Sequence, residues 1–207
     1  MLELGTQSPQ WAVGCRCGLD VHSHVLPPHF PGRANPPSAW PSVRMVDACH
    51  GQVMIGDRPY RLVSDACRLA SRRPEAMDAA GIGLQVLSPM PKLFSYWMET
   101  AAADDLIRYT DDVLAALVQE GAGRFRALAG MPLQDLDWAV TELTRVMAFP
   151  GFAGVEIGSN VNGMPIGHAH LFPFAKAERL GTAVLSPGRG FRRGPRHDRG
   201  RLSLQFS

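Results

Sequence analysis

Two histidines set two residues apart carry the clearest chemical signal in the chain. Asp20-Val21-His22-Ser23-His24 lies in a stretch from Gly18 where apolar and polar side chains alternate with the period of a β-strand. On a strand, residues i and i+2 face the same side, with Cβ atoms close enough to share one ion. Neutral imidazole is a common ligand of zinc and related divalent ions. His22 and His24, projected from the end of a first parallel strand, are therefore half a metal site; the plainer alternative is two ordinary polar residues near a strand end. Strand ends are where open α/β folds and barrels keep their ligands, which favours the metal. Arg61, between Tyr60 and Leu62, is either a surface arginine or a guanidinium that grips a substrate carboxylate through two hydrogen bonds. Phe94-Ser95-Tyr96-Trp97 is either a hydrophobic plug or an aromatic substrate wall. A second H-x-H, His168-Ala169-His170, introduces a helical pattern, where i and i+2 share no face, and reads as a loop or helix-entry pair. His29 and His50 fall in a Pro-rich stretch as solvated loop histidines.

The elements that must position these residues follow from periodicity. The first strand precedes a long excursion, broken by Pro27, Pro28, Pro31, Pro36, Pro37 and Pro41. A hairpin is expected there, pairing Val53-Met54-Ile55 with Tyr60-Arg61-Leu62-Val63 around Gly56-Asp57. Regular alternation follows. A short helix opens at Pro74 and closes at Gly81; a buried strand runs over Gly83–Leu87. Thr100 is expected to cap a helix with the apolar stripe Leu106, Ile107, Val113, Leu114, Leu117 and Val118. Phe125–Met131 is the next strand. Asp135 or Asp137 then caps a helix with Val140, Leu143, Val146 and Met147 facing inward. Gly154–Ile157 is a strand, Leu171–Leu180 a helix, and Thr182–Leu185 the start of one more strand. About five strands alternating with helices predict an α/β fold with a parallel sheet: either a small open sheet or the front of a (β/α)₈ barrel, which typically needs about 250 residues.

The chain has 207 residues, 45% of them hydrophobic, enough for a packed core. No run of about eighteen apolar residues exists, so a membrane span is not expected. The N-terminus shows no secretory-signal pattern. Neither a GxGxxG nor a Walker motif is present, so nothing supports dinucleotide or phosphate cradling. Four cysteines (Cys15, Cys17, Cys49, Cys67) make no disulfide scaffold, and a reduced, cytoplasmic setting is expected. Charge is unevenly spread. Up to Ser186 there are 15 Lys+Arg against 18 Asp+Glu; beyond it, six Arg against one Asp. Three segments result: an N-terminal extension over 1–18, an α/β domain over 19–186, and an unstructured Arg/Gly-rich tail over 187–207. A shift of reading frame near Ser186 accounts for that tail better than nucleic-acid binding, which is not expected.

Leu19-Asp20-Val21-His22-Ser23-His24-Val25-Leu26-Pro27 resembles the opening strand of the amidohydrolase-related metalloenzymes. Tyr60-Arg61-Leu62-Val63, Ala76-Met77-Asp78, Gln85-Val86-Leu87-Ser88 and Phe152–Gly158 keep that family's order from about residue 19 to 185. Phe94-Ser95-Tyr96-Trp97 makes the chain most similar to the aminocarboxymuconate-semialdehyde decarboxylase branch. The resemblance implies an incomplete (β/α)₈ TIM barrel, about its first four to five βα units. It implies one divalent metal, zinc, held by His22 and His24, with Arg61 on the carboxylate of a small-molecule substrate. The implied reaction is non-oxidative decarboxylation in tryptophan (kynurenine) or nitroaromatic breakdown, by a cytoplasmic, homodimeric enzyme. The family's third metal histidine should end the strand that here reads Val184-Leu185-Ser186-Pro187, and its base histidine and metal aspartate lie beyond it. None has a counterpart, so no catalytic base is assigned, the ligand set is expected to be incomplete, and the chain is expected to be truncated and inactive. The alternatives are another hydrolase or decarboxylase of the superfamily, or a non-catalytic half-barrel that docks on a partner.

Overall fold

The computed structural model describes residues 17–171, Phe174 and 183–185. The chain opens with β1 (Gly18–Val25) and then an antiparallel insertion of β2 (Pro41–Met45), β3 (His50–Ile55) and β4 (Arg58–Ser64). Three helix-strand repeats follow: α1 (Arg73–Ala79) with β5 (Ile82–Pro89), α2 (Thr100–Glu120) with β6 (Phe125–Ala129), and α3 (Leu136–Met147) with β7 (Phe152–Glu156). A two-residue ribbon of β8 (Asn160–Val161) and β9 (Met164–Pro165) precedes β10 (Ala183–Leu185). The expected helix over Leu171–Leu180 lies largely outside the described residues, as do the N-terminal extension and the basic tail.

β1, β5, β6, β7 and β10 form one sheet in that order, every neighbouring pair parallel. Parallel strands need crossover connections, and α1, α2 and α3 supply them. The result is the front part of a (β/α) barrel. Its core is apolar where strands and helices meet: Leu87, Leu114, Phe125 and Val155 are all fully buried. Gly151 makes one close approach possible, because a Cβ there would lie 2.4 Å from Val118 Cγ1 and its φ is +92°.

The insertion is larger than the hairpin read from the sequence. β2 joins β3 and β4 in a three-stranded sheet, and Gly56 (φ +58°) makes the β3–β4 turn. It has its own small core of Leu26, Val53, Val63, Met90 and Leu93. This packing ties the insertion to the segments that follow β1 and β5.

Several local expectations are corrected. Glu99, not Thr100, caps α2: its carboxylate accepts from the Ala101 and Ala102 amides at 3.0 and 3.2 Å. In α3, capped by Asp135, the buried stripe is Ala139, Glu142, Leu143 and Val146, and Val140 turns outward. The polar Glu142 can sit inside because Arg145 donates to both its oxygens at 2.6–3.0 Å and Arg108 Nε lies 3.1 Å away. On α2 Val113 packs against the core as expected, and Asp111 is buried beside the apolar stripe as well. Its Oδ1 accepts from the Gly130 amide at 3.0 Å, tying the helix to the end of β6. The expectation that every thiol is reduced fails at Cys17, which is disulfide-bonded, whereas Cys49 and Cys67 are free.

Burial drives the Asp111 carboxyl well above the usual carboxylate range, against the pull of the Gly130 amide. Asp111→Asn keeps the acceptor for Gly130 and is expected to change unfolding free energy by less than about 1 kcal/mol, whereas Asp111→Ala should cost about 1–3 kcal/mol. Urea unfolding of the two variants checks this; equal losses would show that the bond to Gly130 contributes nothing.

Candidate metal centre

The period of β1 places His22 and His24 on one face, and the structure brings their rings edge to face with centroids 4.8 Å apart. Their Nε2 atoms are 3.1 Å apart. His24 Nδ1 lies 3.2 Å from Ser88 Oγ at the end of β5 and 3.7 Å from Glu156 Oε2 at the end of β7. One donor atom from each of His22, His24 and Glu156 falls within 4.8 Å of the others. β1 and β7 are three places apart in the sheet, about 14 Å if it were flat. Contact across that gap means the sheet is strongly curved, with its inner face closing around the strand ends.

A polar network behind the histidines fixes β1. Arg73, buried on α1, donates to Ser23 Oγ and Gln85 Oε1 at 2.8 Å and to the His24 carbonyl at 2.9 Å. Gln85 in turn donates to Asp20 Oδ2 at 2.8 Å, and Asp20 Oδ1 accepts from the His22 amide at 3.1 Å. The two imidazoles therefore stand on a backbone held from both sides.

The electrostatics fit a cation. Burial, helped by neighbouring His22, lowers the His24 imidazole to about 4, so it is neutral and has a lone pair to offer. Burial raises Glu156 to about 7, with the Ser88 hydroxyl pulling the other way. Glu156 is completely buried, and apart from the nearby Ser88 hydroxyl neither of its oxygens meets a hydrogen-bond donor. An under-bonded carboxyl facing the neutral His24 imidazole and the His22 ring is a donor set that a divalent ion satisfies.

A cavity of about 680 Å³ opens over this cluster. Arg61 reaches it from β4 and forms no ion pair among the described residues; its guanidinium lies 5.9 Å from the Tyr60 ring. Lys92 sits 4.1 Å from the centre of the Trp97 ring on the same wall, and Phe94 and Tyr96 complete it. The Phe-Ser-Tyr-Trp segment thus contributes both readings, packed beneath and lining above. The other histidines stay apart: His168 and His170 are exposed around a single 3-10 turn, His50 bonds Asp47, and His29 rests against Tyr109.

Sequence reasoning missed Glu156, seen only as a strand residue. The signal was a lone acid closing an otherwise apolar five-residue strand, a position where an unpaired carboxyl is costly unless it serves a ligand. Leu185 of β10, from the strand expected to carry the family's third metal histidine, pairs in register with Glu156.

Folding raises Glu156 above its ordinary 4.5. Its neutral form thus adds stability that is complete below about pH 4.5 and lost as pH rises through about 7. In metal-free protein, the melting-temperature advantage of Glu156→Gln over wild type should grow between about pH 5 and about pH 8. A pH-independent offset would contradict the assignment.

Comparison with known proteins agrees with the geometry. A model of the amidohydrolase family matches residues 19–187. The 2-amino-3-carboxymuconate-6-semialdehyde decarboxylase of Dictyostelium discoideum is 33% identical over 170 residues, 81% of this chain and 47% of that protein. The apo structure of the IDCase of Metarhizium anisopliae superposes with a TM-score of 0.68 over 87% of this chain and 52% of its own, at 17% identity, a likeness of fold. A dihydroxybenzoic acid decarboxylase from Polaromonas sp., with bound manganese and the inhibitor 2-nitroresorcinol, gives 0.54 at 26% identity over 60% of this chain and 40% of that one. The chain spans about half the length of the curated relatives it matches. With the parallel sheet, the His-x-His strand and this match over most of its length, the chain belongs to the amidohydrolase family.

Proposed function

We propose that this chain carries the metal-binding half of a non-oxidative decarboxylase acting on an unsaturated carboxylic acid. The observation that carries this reading is the convergence of His22, His24 and Glu156 beneath a cavity that Arg61 enters with no ion pair among the described residues. His22, His24 and Glu156 hold the ion, zinc by preference, since two imidazoles and a carboxylate are a zinc-type donor set; manganese occupies the Polaromonas relative. When bound, such an ion supplies Lewis-acid polarisation and an activated water.

The chain's own residues do the rest. Arg61 takes a substrate carboxylate through a two-pronged contact and fixes its orientation. The Phe94 and Trp97 rings exclude water from the conjugated carbon skeleton. Decarboxylation breaks the bond to the carboxylate carbon, leaves the electron pair on the substrate carbon, and consumes one proton there. The substrate is read as 2-amino-3-carboxymuconate-6-semialdehyde, after the curated relatives. A dihydroxybenzoate-type acid is the second reading, favoured by the aromatic wall and by relatives named gamma-resorcylate decarboxylase, which match about two-fifths of the chain. Tryptophan or nitroaromatic breakdown as the setting, and a cytoplasmic homodimer, come with the reading through the resemblance alone.

His22→Ala and His24→Ala are expected to abolish bound divalent metal, measured by mass spectrometry of purified protein that otherwise holds about one ion per chain. Arg61→Ala should leave metal content intact and weaken carboxylate binding about 10- to 100-fold. Labelled-CO₂ release from carboxymuconate and dihydroxybenzoate substrates separates the two readings. Full metal content in both histidine variants would end the proposal.

A further inference from the structure

Tyr96 is held more firmly than a wall residue needs to be. Ser95 before it adopts φ +54° and Asn162 opposite it φ +48°, both in the left-handed region that non-glycine residues avoid. The Asn162 amide donates to the Tyr96 carbonyl at 2.6 Å, and the ring stacks on Phe94 with centroids 5.8 Å apart. The Gly158 amide, two residues past Glu156, donates to the phenolic oxygen at 3.1 Å. The approach is close, because a Cβ there would stand 3.0 Å from Tyr96 Cε2. Three separate contacts thus hold one residue, and Ser95 adopts an unfavourable backbone conformation beside it.

The bond from Gly158 uses a lone pair of the hydroxyl and leaves its proton unspent. Among the described residues no acceptor receives that proton, although Tyr96 is only 6% exposed. A buried donor without an acceptor is unfavourable unless a bound molecule completes it. The phenol lines the cavity that His22, His24 and Arg61 share.

We infer that Tyr96 is a substrate-binding residue whose hydroxyl donates a hydrogen bond to an oxygen of the molecule held above the histidines, opposite the grip of Arg61. The inference rests on reading the cavity as a carboxylate site. It gives the Phe-Ser-Tyr-Trp segment a polar function alongside its apolar one, with Phe94 and Trp97 as walls and Tyr96 orienting the ligand. The backbone bond to Gly158 couples that orientation to the end of β7, where Glu156 stands.

The test uses the metal-loaded 207-residue chain and cis,cis-muconate as probe. Tyr96→Phe keeps the ring and is expected to raise the muconate Kd about 3- to 10-fold with metal content unchanged. The chain has three tyrosines, so ¹³Cζ-tyrosine labelling gives three resonances, assignable with Tyr60→Phe and Tyr109→Phe. The Tyr96 resonance should move as muconate is added to the wild type, a change that a purely structural tyrosine would not show. That measurement also decides the matter if Tyr96→Phe does not fold. Muconate binding with an unmoved Tyr96 resonance, or an unchanged Kd in Tyr96→Phe, overturns this inference alone. No muconate binding by the metal-loaded wild type overturns the carboxylate-site reading and this inference together. A Tyr96 effect on binding with no CO₂ release from any acid substrate overturns only the decarboxylase.

Discussion

A buried carboxyl that the protein leaves under-bonded is the constraint on which the site depends. Glu156 ends β7 fully enclosed, with only the Ser88 hydroxyl close by and its pKa raised to about 7. Left alone, such a group opposes folding. It is tolerable because His24 stands 3.7 Å away and His22 beside it, three donors arranged for one positive charge. The same geometry explains why His24 is held neutral: its burial, helped by neighbouring His22, removes the charged form.

The rest of the molecule can be understood as support for that convergence. Arg73 and Gln85 brace β1 from behind, so the strand carrying the histidines is anchored through α1 and β5. The antiparallel insertion, with its separate apolar core, brings Arg61 over the mouth of the cavity. Further out, Glu142 with Arg108 and Arg145 shows the contrasting way to bury a carboxylate, with its charges matched inside the protein. One acid is satisfied and the other is left open, and that difference separates a structural residue from a candidate ligand.

Departure from the family pattern falls at the same place. The strand on which the resemblance puts a third metal histidine is β10, and its Leu185 registers beside Glu156. The cluster holds three donors, where the sequence offered two.

Much of the fold was readable from local rules. Period-two alternation put His22 and His24 on one side of β1; Asp135 and Asp137 both stood as caps for α3, and Asp135 took the role; alternating strands and helices implied parallel pairing, in an open sheet or the front of a barrel. Errors arose where a polar side chain took an apolar-looking place. Asp111 turned inward because a backbone amide needed its oxygen, Glu142 turned inward because two arginines met it, and Glu99 outcompeted Thr100 for the cap by reaching two free amides. Proximity of Glu156 to His24 was not legible at all. Their contact joins residues far apart in the chain and three strand spacings apart in the sheet, and it depends on curvature produced by the helices packed outside. Periodicity is a property of neighbouring residues, and so the sequence by itself determined which side chains share a strand face. Which strand ends meet is settled by the packing of the whole sheet, and only the tertiary structure decided that.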